Sequence, residues 1–183
     1  FASRKISEIS SLAKNSFGIS LCNDSLTLQL KLLIQQINFI EELVKDIENQ
    51  IILIVDKINS PIISIPGISY ITGAIILGEL GDINRFSNPS KVVAFAGIDA
   101  SVSQSGNFQS TSSKMSKSGS PYLRKALFQA AFVACNCDPV FKAYYSKKRS
   151  EGKHHLTAVG AVARKLCYTI YAILKSNQPY QKQ

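Results

Sequence analysis

"SPYLRKALFQAAFVACNCDPVFKAYYSKKRSEGKHHLTAVGAVARKLCYTIYAILK", residues 120–175, is punctuated twice by the same device. Ser120-Pro121 and Asp138-Pro139 each set a capping side chain before a proline, whose missing N–H costs nothing in the first turn of a helix. The spacing predicts helices over 121–136 and 139–150, the second closed by Gly152, and a third from Thr157 to Lys175. In that third helix Val159, Val162, Ala163, Leu166, Ile170 and Ile173 recur on one face. Asn88-Pro89 repeats the device upstream and predicts a helix over 89–96, closed by Gly97. The fold class is therefore mostly all-α, and one short β-hairpin near 94–110, around "VAFAGIDASVS", is the only candidate for strand.

Working outward, Leu30, Leu33, Ile37, Ile40, Val44, Ile47, Ile51, Ile54 and Ile58 are separated by alternating steps of three and four. That is the spacing of a coiled-coil seam. Asn23, Asp24 or Ser25 caps its start and Asn59-Ser60-Pro61 ends it, so one continuous helix is expected over 26–58. A shorter pattern, Ile6, Ile9, Leu12 and Ala13, predicts a first helix before Gly18. One helix cannot cover its own apolar stripe, which leaves an intramolecular hairpin or a homo-oligomer. Residues 1–60 read as a coiled-coil arm and 61–183 as a second domain. That domain opens on "SIPGISYITGAIIL", a Pro-Gly turn before an apolar helix, similar to a helix-hairpin-helix element. In such an element backbone N–H groups near Gly67 and Ser69 can meet a phosphate, although Ser69 stands where a second glycine is usual. Turn chemistry alone also explains this Pro-Gly pair.

Charge narrows the partner. Residues 1–60 hold six Lys/Arg and seven Asp/Glu, residues 61–113 two and three, and residues 114–183 thirteen and two. The whole excess of positive charge, +11, falls in the last segment. A polyanion such as nucleic acid is the partner this favours, since each neutralised phosphate releases counterions. A hydrophobic content of 45% excludes a disordered chain. Cys22, Cys135, Cys137 and Cys167 form no disulfide framework, which suits a cytoplasmic protein. Cys135 and Cys137 with His154 and His155 match no common zinc spacing, so no metal site is expected here. The uncharged run from Ile58 to Gly78 is broken by Pro61, Pro66, Gly67 and Gly73, which argues against a membrane span. The chain opens on Phe1 with no signal pattern, as a fragment or processed chain does.

The order Ala96-Gly97-Ile98, Ser105-Gly106, Ser116-Lys117-x-Gly119 and Leu123-Arg124, after "IPGIS…GAIILGELGDINRF", resembles the C-terminal transposase domain of the IS-one-ten family of bacterial insertion-sequence transposases. That family is related to the Piv and MooV DNA invertases, and the resemblance covers about residues 60–175. It implies a DNA transposase or recombinase in which Ser105 is the nucleophile that attacks a phosphodiester. Gly106 permits the tight turn beside it, and Lys114, Lys117, Arg124 and Lys125 stand as phosphate partners. It also implies a homo-oligomer, a bacterial, nucleoid-associated setting, a noncoding guide RNA beside the DNA, and Mg2+ held by an N-terminal RuvC-like domain with a DEDD carboxylate set. No such domain is read in this chain, which by itself is expected to bind but not to cut.

The residues alone choose none of the nine serines between Ser101 and Ser120; the resemblance chooses Ser105. Two plainer readings stand beside it. One is a non-catalytic nucleic-acid-binding and dimerisation module, and the other is a helical scaffold with a basic face.

Overall fold

A computed structural model describes residues 2–16, 23–99, 104–105, 108–109 and 115–181. The chain divides into two units, Phe1–Asp46 and Ile47–Gln183. Helix α1 spans Ala2–Lys14 and α2 spans Asn23–Ile58, so the continuous helix expected over 26–58 is present and starts three residues earlier. Asp24 sits in its first turn, where the helix dipole favours an acid. Asn59, at φ 49°, turns the chain out of α2. Every described side chain of the first unit is exposed, including Leu33, Ile37, Ile40 and Val44 of the seam.

The second unit has a real core. After α2 come a 3-10 turn at Pro61–Ser64, α3 (Tyr70–Leu80), a second 3-10 turn at Ile83–Arg85 and α4 (Pro89–Ala96). Two-residue strands β1 (Gln104–Ser105) and β2 (Phe108–Gln109) pair antiparallel, with Ser105 opposite Phe108. Helices α5 (Pro121–Cys137), α6 (Pro139–Ser150) and α7 (His155–Ser176) complete it. The proline-led starts behave as their chemistry requires. Asn88 accepts from Lys91 N at 3.2 Å, Ser120 from Leu123 N at 3.1 Å, and Asp138 from Val140 N and Phe141 N at 2.9 and 3.1 Å. Each side chain satisfies donors that a first helical turn leaves orphaned. The hairpin expected near 94–110 lies at its C-terminal end. Residues 94–96 are helix instead, because the cap at Asn88 and Pro89 drives α4 on until Gly97 takes up φ +64° and stops it.

Helix α7 is central, packing against α4, α5, α6 and both 3-10 turns. The six apolar residues expected on its inner face are all buried. Among the described residues α7 is also the one helix long and apolar enough to cross a membrane, and that apolar face is the unit's core. The Pro-Gly turn is packed rather than open: Gly67 sits at φ +89°, and a Cβ there would collide with the Ala130 carbonyl and lie 2.8 Å from Ala134 N. Only glycine allows that approach to the backbone of α5.

Cys167 lies wholly buried in α7, and burial pushes its thiol up to about 12. An unfolded cysteine titrates near 8.5. Between those values the folded chain keeps a proton that the unfolded chain has lost, so this contribution is complete below about pH 8.5 and is lost as pH rises. The melting temperature should therefore fall more steeply between about pH 8 and pH 10 in the native protein than in Cys167→Ala. Parallel curves would show that the thiol titrates as it does in water.

Candidate functional site

Two segments far apart in sequence meet at the start of α5. The first is the end of α4, Phe95 to Asp99; the second is Ser116 to Arg124. Backbone bonds run between them in sequence: Ser116 N to Asp99 O at 3.0 Å, Lys117 N to Gly97 O at 3.0 Å, and Ser120 N to Phe95 O at 2.8 Å. The Ser116 hydroxyl also donates to Asp99 Oδ1. The approach is closer than side chains permit. A Cβ on Gly97 would fall 2.6 Å from Gly119 N, and one on Gly119 would collide with the Phe95 carbonyl and fall 2.6 Å from Gly97 N. The two glycines of the motif exist for one another.

Charged and polar side chains lock this junction. Arg124 NH1 donates to the carbonyls of Ala96 at 3.2 Å and Gly119 at 3.4 Å. Ser120 caps α5 and donates its own hydroxyl to Glu79 Oε2 at 2.7 Å. Glu79 O in turn accepts from Arg85, whose guanidinium lies 4.7 Å from the ring centroids of both Phe86 and Phe95. Such cation–π contacts hold the Arg85 plane against the aromatic pair. The consequence is a rigid base from which residues 100–115 depart and to which they return.

The expected site residues are distributed as follows. Ser105 belongs to β1, with its backbone paired to Phe108, while its side chain lies outside the described residues, as do Gly106 and Lys114. Lys117 is exposed and held at φ 53°, a left-handed conformation uncommon for a residue with a side chain. Arg124 is half-buried, and its NH1 serves carbonyls of the junction; Lys125 is exposed on α5. Lys117, Arg124 and Lys125 therefore cluster at one end of α5. Gly67 and Ser69 do not join them. Gly67 packs on Ala130 and Ala134, roughly 8–15 Å further along α5 than Arg124 and Lys125 at 1.5 Å per residue. The Ser69 hydroxyl is engaged in a capping box with Thr72: Thr72 N donates to it at 3.3 Å, and Ser69 N donates to Thr72 Oγ1 at 2.8 Å. Sequence reading gave Asp99 and Glu79 no role, although both lie in the quoted stretches "VAFAGIDASVS" and "GAIILGELGDINRF", because their partners are 17 and 41 residues away.

Among the described residues no group of three or more His, Cys, Asp or Glu is close enough to hold a metal. His154 caps α7 through Leu156 N at 3.3 Å, and His155 Nδ1 meets the Tyr145 hydroxyl at 2.7 Å. Burial holds the Cys135 thiol above its ordinary value.

Residues 59–146 match the profile of the family described as "Transposase IS116/IS110/IS902 family", a span that runs from the first 3-10 turn into α6 and includes both sides of the junction. Over those residues, a little under half of the chain, the sequence is similar to this family. It is 29% identical over 125 residues to the insertion element IS110 uncharacterized 43.6 kDa protein of Streptomyces coelicolor, covering 68% of this chain and 31% of that one. It is 32% identical over 120 residues to the insertion element IS900 uncharacterized 42 kDa protein of Mycobacterium paratuberculosis, covering 65% and 30%. The pilin gene-inverting protein of Moraxella bovis is 31% identical over 121 residues, 66% of this chain and 38% of that protein. The chain thus spans about a third of the length of these curated relatives.

Proposed function

We propose that this chain is the strand-exchanging part of a DNA transposase or recombinase, with Ser105 as nucleophile. The single observation that supports the reading is the junction itself: the A-G-h and S-K-x-G…L-R motifs, which bracket Ser105 in sequence, bond to each other across the ends of its loop. In the reaction Ser105 Oγ forms a bond to phosphorus and the bond from phosphorus to a sugar oxygen breaks. The serine loses a proton and the departing oxygen gains one. The phosphoserine ester conserves the diester energy, so a second sugar hydroxyl can reverse the step and rejoin DNA. Lys117 and Lys125 supply positive charge at this end of α5, where an incoming phosphate and its transition state need it. Arg124 acts mainly through the junction that orients the loop.

Mg2+ does not fit the described residues of this chain, which offer no carboxylate cluster for it. The resemblance assigns it to a RuvC-like domain of the full-length protein, and this chain alone should bind DNA without cutting it. The partners of the reading are DNA, a noncoding guide RNA and further copies of the chain, in a bacterial cytoplasm. The Pro-Gly turn at Gly67 and Ser69 is a secondary phosphate contact in the same reading. The decisive test uses the whole protein with DNA, guide RNA and Mg2+, quenched in denaturant. A DNA strand covalently joined to protein supports the reading, and strand exchange that never passes through such a species sinks it.

Oligomerisation through α2 rests on a separate observation, the exposed seam of a unit with no buried side chain among its described residues. Ile40→Asp or Ile47→Asp would place a charge where another helix packs, at a penalty of several kcal/mol per pairing. Sedimentation should show the assembly dissociating, with the second unit still folded. Native mass together with native thermal stability in both variants would remove the seam as an interface.

A further inference from the structure

Helix α6 carries Lys142, Lys147, Lys148 and Arg149 and no acid. Residues 114–183 contain only two carboxylates, and both are already engaged. Asp138 is buried and caps α6. Glu151 bonds Lys148 at 2.8 Å, the one ion pair among the described residues. Lys142, Lys147, Arg149 and Lys153 are exposed and outside that ion pair, and the Glu151 carboxylate is near enough to Lys147 and Lys153 for their charges to favour its ionised form, so a single carboxylate stands among these cations. Helix α7 adds two more cations: the Lys165 ammonium lies 5.0 Å from the Tyr144 ring centroid, Lys148 lies 5.5 Å from the same ring, and Arg164 is near enough to repel Lys148.

The helix dipole accounts for part of this. Lys147, Lys148 and Arg149 lie in the last turn of α6, where the helix dipole favours positive charge. It does not account for Lys142, the fourth residue of α6, which sits towards the positive end of that helix; Lys153 lies in the turn between the negative end of α6 and the start of α7. Like charges gathered against the dipole have no folding benefit. The outer face of α6 reads Lys142, Ala143, Ser146, Lys147, Arg149 and Ser150, all exposed. It has no large apolar side chain to enter a bilayer, which leaves a hydrophilic polyanion. Arg149 is also pre-set, because its NH1 donates to Lys153 O at 2.6 Å across the turn after α6. Finally, α7 starts close to the catalytic loop's return: a Cβ on Gly160 would lie 3.7 Å from the Met115 methyl.

We propose that the outer face of α6, with Lys153 and Lys165, is a second nucleic-acid surface that grips a phosphodiester backbone outside the Ser105 loop and its lysines. It goes beyond the catalytic reading and does not depend on Ser105 being the nucleophile. The surface contacts backbone rather than bases, so it adds affinity and direction without sequence preference.

The test uses the full 183-residue chain. Lys142→Ala/Lys147→Ala/Arg149→Ala is titrated by fluorescence anisotropy into a duplex DNA and a hairpin RNA of equal length, across a salt series. Loss of three phosphate contacts should weaken binding about 10–100-fold near 0.1 M salt and reduce the salt slope on duplex DNA by about 2–3. A drop confined to DNA or to RNA identifies which backbone uses the surface. The charge-preserving Lys142→Arg/Lys147→Arg/Arg149→Lys should retain native affinity, separating charge from folding. Native affinity and slope on both nucleic acids in the alanine variant would overturn the proposal. So would a loss seen only on phosphatidylserine vesicles. These titrations read binding and the covalent adduct reads cleavage, so failure here and failure of the catalytic reading are distinguishable.

Discussion

Ser105→Ala, made in the whole protein and supplied with DNA, guide RNA and Mg2+, should yield no protein-linked DNA strand while binding DNA within about twofold of the native level. A covalent route loses its bond-forming atom with that hydroxyl, and positioning and charge stabilisation cannot replace it; a drop of at least about 10³-fold is expected. Affinity changes little because one neutral hydroxyl adds little to a backbone contact carried by lysines. Ser103→Ala and Ser110→Ala should keep the adduct. Ser116→Ala should keep it at a reduced rate, since it deletes the bond to Asp99 at the loop's return but leaves the Ser116 N to Asp99 O bond in place. Mass spectrometry of the trapped adduct decides the matter: a modified residue other than Ser105, or an adduct persisting in Ser105→Ala, would move the nucleophile.

The second large effect is structural. Gly119→Ala adds one methyl group, and that methyl has nowhere to go: it meets the Phe95 carbonyl, with Gly97 N at 2.6 Å. These are backbone atoms, so no rotamer change relieves the overlap, and the two segments must separate. Separation stretches the Lys117 N to Gly97 O and Ser120 N to Phe95 O bonds and pulls Arg124 from the Ala96 carbonyl. Overpacking of this kind costs about 1–3 kcal/mol, and each weakened bond adds roughly 1 kcal/mol. A fall in melting temperature of roughly 10 °C is expected at 2–4 °C per kcal/mol. Gly78→Ala is the control, because a Cβ there meets nothing within 4 Å. Equal melting temperatures for Gly119→Ala and the native chain would mean that the junction does not hold in solution.

Much of the helical framework was legible because its signals are local. A cap followed by proline acts within four residues, and the inner face of α7 repeats every three or four, so both survive without knowledge of the fold. The strand expected around residue 94 yielded to that same local chemistry, α4 running on to Gly97. What escaped was tertiary. Gly97 reads as a helix stop and Gly119 as one position of a motif, and nothing in the chain says that their backbones touch. Arg124 reads as a phosphate ligand by charge alone, but its NH1 faces two carbonyls that only folding brings near. Ser120 was legible as a cap and not as a donor to Glu79, a partner 41 residues upstream. The cations of α6 were counted within the basic segment, but which of them Glu151 pairs with, and that Asp138 is spent on a cap, depends on the fold.

The bonded base at Asp99 and Ser116 also bears on how far the segment between them can vary. Sixteen residues lie between those two positions, and their ends are brought together by the scaffold. Doubling such an insert adds only about 0.6 kcal/mol of closure entropy, because the penalty grows with the logarithm of length. The segment therefore behaves as a thermodynamically cheap insert: its length can change with the melting temperature of the helical unit nearly constant, as long as Met115, which packs against the core, is kept.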